Sequence, residues 1–137
     1  TTGETVWSNY WPGSGADSAY TVKAFLYDDP NQLFQVATSN VVAAANTEAE
    51  IRAAVFANIA FATGNSGSTI TGLSSATADL NTIATTNTLA LRVMGIQNDP
   101  ANSDFTAAGI PLIVRINNHF NAPTGSIAAG TVSTTGV

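Results

Sequence analysis

Alternation of apolar and polar positions predicts several β-strands in this 137-residue chain. Residues 18–28 read SAYTVKAFLYD, and side chains two positions apart in a strand lie on the same face, here Tyr20, Val22, Ala24 and Leu26. The Asp-Asp-Pro-Asn stretch at 28–31 then predicts a turn, because proline lacks a backbone donor and Asp and Asn bond their own backbone. We predict a second strand over residues 32–38.

A helix start follows in residues 46–54, where Thr47 stands three positions before Glu50. At this spacing the hydroxyl and the carboxylate satisfy each other's unpaired backbone donors, so we predict a short helix. Aromatic and β-branched residues then favour a strand over residues 55–62. Residues 63–88 are rich in Thr, Ser, Asn, Gly and Ala, and we predict a loop with one turn of helix inside residues 72–80.

The clearest strand patterns are LALRVMGI at 89–96 and IPLIVRINNHF at 110–120. In the latter, Ile113 and Arg115 lie on one face, opposite a face made by Ile110, Leu112, Val114 and Ile116. The pattern as a whole predicts a mainly β fold, a small antiparallel β-barrel or sandwich with one or two short helices. We expect a single domain over residues 1–137, with flexible arms over about residues 1–15 and 122–137.

Composition narrows the functional classes. Only 9% of residues are charged, the net charge is −5 and there is no cysteine. Without a cationic surface to neutralise phosphates, we expect binding neither to nucleic acid nor to an anionic membrane. The apolar runs fall short of the roughly 20 residues that span a bilayer.

Two groups of acids are candidate metal or catalytic sites. Asp28 and Asp29 are adjacent, and neighbouring side chains on an extended chain point to opposite faces, so we interpret them as residues of a solvated turn. A second oxygen-rich segment contains Asn98, Asp99, Asn102 and Asp104. Hard cations bind such oxygens, but the ligand order and terminal glutamate of a calcium loop are lacking. We favour a turn here too and predict no metal or other cofactor.

One histidine, His119, is the candidate catalytic base. A hydrolase would also need a nucleophile and an orienting acid beside it, and the chain has no GxSxG, HExxH, P-loop or GxGxxG motif. We therefore interpret His119 as a residue at the end of a strand and predict that the protein is not an enzyme.

Other side chains are candidates for an interface. Arg92 and Arg115 lie inside the clearest strands, where each must be paired or sit at an interface; pairing with an Asp within the chain or across subunits is equally open. The aromatic residues of VWSNYWPGSG at 6–15 suit a cap on the core, an interface or a sugar-binding face. The interface candidates are Trp7, Tyr10, Trp11, Arg92, Arg115 and His119.

A succession of segments over roughly residues 8–121 resembles a known family. The segments are SNYWPGSG, YDDPNQLFQV, GSTITGLSSA, LRVMGIQNDPANSD and IPLIVRINNHF. In this order they resemble the capsid decoration, or cement, proteins encoded beside the major capsid protein in tailed bacteriophages. The departures are NDPANSD in place of a plainer PDN turn and NNHFN in place of NEHQ.

The resemblance implies a structural virion protein on the outer surface of the capsid. Its expected partners are the major capsid protein and further copies of itself in a homotrimer, and no catalytic residues are implied. Two alternatives stay open: a carbohydrate-binding or adhesin module of the virion, and a tail or head-to-tail connector component.

Overall fold

The described part of the chain folds into a small sheet and one short helix. The computed structural model describes residues 5–11, 13–15, 19, 21–39, 47–97, 100–101, 104–119 and 121. After a single 3₁₀ turn at Gly13–Gly15, its elements are β1 Leu33–Ala37, α1 Glu48–Ala53, β2 Asn58–Phe61, β3 Ala78–Ala84, β4 Leu91–Ile96 and β5 Pro111–Ile116. Within these ranges no helix is long and apolar enough to cross a membrane.

All five strands belong to one sheet in the order β1-β5-β4-β2-β3, and every neighbouring pair is antiparallel. The predicted mainly β, antiparallel fold with a short helix is therefore confirmed, although the sheet is not closed into a barrel. The register shifts once in β2 and once in β4, and such bulges increase the twist of a sheet. Its two edges meet at one isolated parallel bridge between Thr38 and Ala78.

The hydrophobic core covers one face of the sheet. Leu112 and Val114 of β5 are each 1% exposed, as is Ile110, which confirms the predicted apolar face of this strand. Ile51 of α1 packs onto the same face. The remaining buried members are Ile59, Ala78, Leu80, Leu91 and Val93.

The predicted capping box is present at the start of α1. Thr47 Oγ1 accepts a hydrogen bond from the Glu50 amide at 3.3 Å, and the Thr47 amide donates to Glu50 Oε2 at 3.0 Å. The helix ends at Ala53, and the chain then turns through Phe56, a non-glycine residue with a φ of 71°. The predicted strand over residues 55–62 is accordingly confined to β2.

Two local predictions are wrong. Residues 21–28 carry no secondary structure, although a strand was expected over residues 18–28. The turn of helix expected within residues 72–80 is absent, and β3 begins there instead. Ala78 and Leu80 are buried against the core, but small and polar neighbours hide this alternation in the sequence. The predicted carboxyl-terminal arm over residues 122–137 lies outside the described residues.

Candidate assembly surface

Large apolar side chains are exposed together on three segments of the chain. We call them the apolar surface, and its eight members are each at least 68% exposed: Val6, Trp7, Trp11, Phe25, Leu26, Tyr27, Ile70 and Leu73. Contiguous apolar patches of more than a few hundred Å² are rare on soluble monomers and mark binding sites.

Specific contacts hold the three segments together. The Trp7 and Phe25 rings are stacked, with centroids 5.7 Å apart and an interplanar angle of 28°. Asn9 Nδ2 donates a hydrogen bond of 2.9 Å to the Thr71 carbonyl oxygen, which ties the first segment to the loop that carries Ile70. An open groove of about 630 Å³ lies between these two segments, lined by Val6, Trp7, Ser8, Asn9, Tyr10, Thr69 and Ile70.

Gly72 allows Asn9 to approach the loop. Its φ is +69°, a left-handed conformation that side chains disfavour, and a β-carbon there would overlap the Asn9 side-chain amide. The Gly72 amide also donates to the Ser68 carbonyl oxygen at 2.8 Å, which closes the loop. Glycine at this position therefore sets the contact on which the aromatic segment depends.

We expect Gly72→Ala to displace Asn9 and loosen residues 5–11. The left-handed conformation alone costs a residue with a side chain about 1–2 kcal/mol, and the lost Asn9 hydrogen bond adds about 1 kcal/mol. Both tryptophans of the chain, Trp7 and Trp11, lie in this segment, so acrylamide quenching of tryptophan fluorescence reports on it directly.

Gly64→Ala is the matched control, because Gly64 has a φ of +82° with nothing within 4 Å of an added β-carbon. We expect Gly64→Ala to lower stability without changing the quenching. Identical quenching in the two variants would contradict the role assigned to Gly72.

The two candidate arginines are brought together on the face of the sheet opposite the core. Arg92 of β4 and Arg115 of β5 are direct cross-strand neighbours, and both are half-buried. The same row continues to Leu33 of β1 and Asn58 of β2. The two guanidinium groups form a local concentration of positive charge on a chain whose net charge is −5. Like charges directly opposite each other in a sheet repel, so this arrangement is unfavourable.

Neither arginine forms an ion pair with a carboxylate of the described residues. The Arg92 guanidinium lies 5.9 Å from the centroid of the Phe56 ring, within the range of a cation–π interaction. Arg115 Nε is buried without a hydrogen-bond partner.

His119 contacts Asp28, at the turn that precedes β1. It is 7% exposed, its Nδ1 accepts a hydrogen bond of 3.1 Å from the Asn121 amide, and its Nε2 is 3.6 Å from Asp28 Oδ1. Asn121 Nδ2 donates to the same Asp28 oxygen at 2.9 Å. Asp28 therefore fixes the chain beside the end of β5.

The adjacent acid Asp29 has a separate role. Its Oδ1 accepts from the Asn31 amide at 2.8 Å, and its carbonyl oxygen accepts from the Gln32 amide at 3.0 Å. The predicted turn is confirmed, and the carboxylates of Asp28 and Asp29 have different partners.

The oxygen-rich segment before β5 is only partly described. Asn98, Asp99 and Asn102 lie outside the described residues. Asp104 Oδ1 accepts hydrogen bonds from the Thr106 hydroxyl at 2.5 Å and the Thr106 amide at 2.9 Å, and these bonds hold the pKa of Asp104 below its ordinary value. The described residues contain no group of three His, Cys, Asp or Glu placed to hold a metal ion.

Of the six interface candidates, Trp7 and Trp11 belong to the apolar surface, and Tyr10 lines its groove. Sequence reasoning missed the other members from residues 21–27 and 70–73. A signal was present, because Phe25 and Tyr27 make both faces of the predicted strand apolar.

Comparisons of the chain with protein-family models, curated proteins and solved structures find no match. Function is therefore inferred from the geometry of the apolar surface and the segments around it.

Proposed function

We propose that this protein is a structural virion protein that binds the outside of a tailed-phage capsid as a homotrimer and stabilises the assembled shell. The observation that carries the proposal is the apolar surface, whose eight side chains are exposed in the single chain. Removing apolar area from water contributes about 25 cal/mol per Å². A chain with this surface and 9% charged residues is suited to burial in an assembly.

The positions of the segments that resemble decoration proteins also support the proposal. Asn9 of SNYWPGSG contacts Thr71 of GSTITGLSSA, and Asp28 of YDDPNQLFQV contacts His119 of IPLIVRINNHF. Segments far apart in sequence thus meet in pairs, as expected if they serve a common structural role.

The proposed mechanism is mechanical stabilisation. A protein that binds only the assembled shell shifts the equilibrium toward that state by the free energy of binding. A trimer with three modest contacts gains avidity, because the second and third contacts form within one complex. The trimer's symmetry matches the three-fold positions of a shell.

The test is to compare virions of the encoding phage with and without the protein. We expect a copy number equal to that of the major capsid protein, or a simple fraction of it that fits a three-fold position, and DNA release at lower temperature from particles that lack the protein. Equal thermal stability of the two kinds of particle would contradict the proposal. A handful of copies per virion would instead indicate a tail or connector component.

The groove beside the apolar surface favours one alternative, a carbohydrate-binding module of the virion. Trp7 and Tyr10 line this groove, and aromatic rings commonly pack against sugars. However, Trp7 already stacks on Phe25. A glycan array with the wild type and Tyr10→Ala separates the two functions, since only a sugar-binding site gives selective signals that the substitution abolishes.

A further inference from the structure

Residues 21–27 have the sequence of a strand but no strand partner among the described residues. They alternate Val22, Ala24 and Leu26 with a second set of apolar side chains, yet no backbone hydrogen bond joins them to another described residue. Phe25, Leu26 and Tyr27 are 78%, 82% and 81% exposed. Extended backbone with unpaired groups and exposed aromatic residues is a template for pairing with another chain.

The outer edge of β1 is open up to its carboxyl end, where the two sheet edges meet at the bridge between Thr38 and Ala78. This strand pairs with β5 on one side only. The Thr38 amide donates to the Ile110 carbonyl oxygen, on the β5 side, and alternate residues of a strand direct their backbone groups the same way. Leu33 and Gln35 therefore direct theirs toward the open part of the edge, whereas just beyond β1 the Ser39 amide donates to the Ala78 carbonyl oxygen at 2.9 Å.

The core is incompletely covered at this edge. Phe34 and Val36 of β1 pack against the core but remain half-buried. On the opposite face of β1, Leu33 is 49% exposed. An added strand with apolar residues on both faces would cover both sides of the edge.

In the described fold, residues 21–27 form no backbone hydrogen bond with β1 of the same chain. Asp28, which follows the segment, is held by Asn121 and lies beside His119 at the end of β5. This contact ties the end of residues 21–27 to the residues that follow β5. The Trp7 ring stacks on Phe25 and so ties the segment to residues 5–11.

We propose that residues 21–27 of one copy add an antiparallel strand to the open β1 edge of a second copy. Val22 and Leu26 then cover Phe34 and Val36, while Phe25 and Tyr27 join Leu33 on the other face. The donated segment and the accepting edge are different surfaces, so the contact is heterologous, and a three-fold rotation between copies closes it into a trimer. This inference builds on the homotrimer of the proposed function, but not on capsid binding.

Cross-linking tests the strand exchange in a chain that has no cysteine of its own. The variants Lys23→Cys and Gln35→Cys are unfolded together, refolded and treated with a thiol cross-linker of about 8 Å, the span of diagonal neighbours on paired strands. Because each chain has one thiol, any 23–35 link joins two copies. We expect this link in mass spectra and no link between Lys23→Cys and Ser66→Cys.

A second variant removes the strand without removing the fold. Ala24→Pro deletes a backbone donor in the segment, and we expect the mass by light scattering to fall from the oligomer to 14.0 kDa. Ala24→Val retains strand propensity and should remain oligomeric. Both variants should keep the sheet folded and show a thermal unfolding transition, since residue 24 has no backbone hydrogen-bond partner in the described fold.

Each result tests strand exchange separately from the proposed capsid role. An oligomer without the 23–35 link, or one unaffected by Ala24→Pro, overturns strand exchange and leaves the capsid proposal standing. A wild-type chain that is monomeric in solution also overturns it. If the 23–35 link forms but virions contain only a handful of copies of the protein, strand exchange stands and the capsid role is overturned. A 23–35 link within one chain of the double variant, diluted in cysteine-free protein, would show pairing within the chain and overturn the exchange.

Discussion

Leu112→Ala is expected to lower the free energy of unfolding by about 2–5 kcal/mol, because truncation removes buried methyl groups and leaves a cavity. Leu112 is 1% exposed and lies in β5, which pairs with β1 on one side and β4 on the other. The loss is a large part of the roughly 5–15 kcal/mol that stabilises a typical domain. Urea unfolding followed by far-ultraviolet circular dichroism measures it.

Ile70→Ala is the control for this prediction, because Ile70 is 93% exposed in the single chain. We expect its effect on unfolding to stay within about 0.5 kcal/mol. The same substitution should weaken assembly if the apolar surface is buried there, so the two variants separate folding from binding. Similar unfolding free energies for the two would show that the core is misassigned.

Thr38→Val is expected to cost about 1–3 kcal/mol although the two side chains have nearly the same shape, because a buried donor loses its acceptor. Thr38 is 2% exposed, and its Oγ1 accepts from the Ile110 amide at 3.0 Å and the Gly109 amide at 3.2 Å. The Gly109 amide also donates to the Thr38 carbonyl oxygen. The donor that loses its acceptor is therefore the Ile110 amide. Thr38 forms the bridge to Ala78, so the change acts where the sheet edges meet.

Amide hydrogen exchange at Ile110, together with urea unfolding, measures this effect. Thr38→Ser is the control, since it keeps the hydroxyl and loses only a methyl group. We expect faster exchange at Ile110 in Thr38→Val than in Thr38→Ser. Equal exchange and equal stability in the two variants would show that the hydroxyl is not the needed acceptor.

The sequence alone predicted the elements whose signals are local. Strands were predicted where β1, β4 and β5 lie, β4 and β5 from their β-branched and large aliphatic residues, and Leu112 was placed on an apolar face because side chains two apart in a strand share a face. The start of α1 was predicted from Thr47 and Glu50, since a capping box involves only residues within one turn. The Asp-Asp-Pro-Asn turn follows from equally short-range chemistry.

Only the tertiary structure decided what depends on partners distant in sequence. It placed β3 in the sheet although small and polar residues weaken its pattern, and it gave residues 21–27 no strand partner among the described residues although their pattern is clear. It also joined Arg92 to Arg115, Asn9 to Thr71 and Asp28 to Asn121. The physical reason is that periodicity records which face of a strand is apolar, whereas pairing depends on where another backbone presents its donors and acceptors.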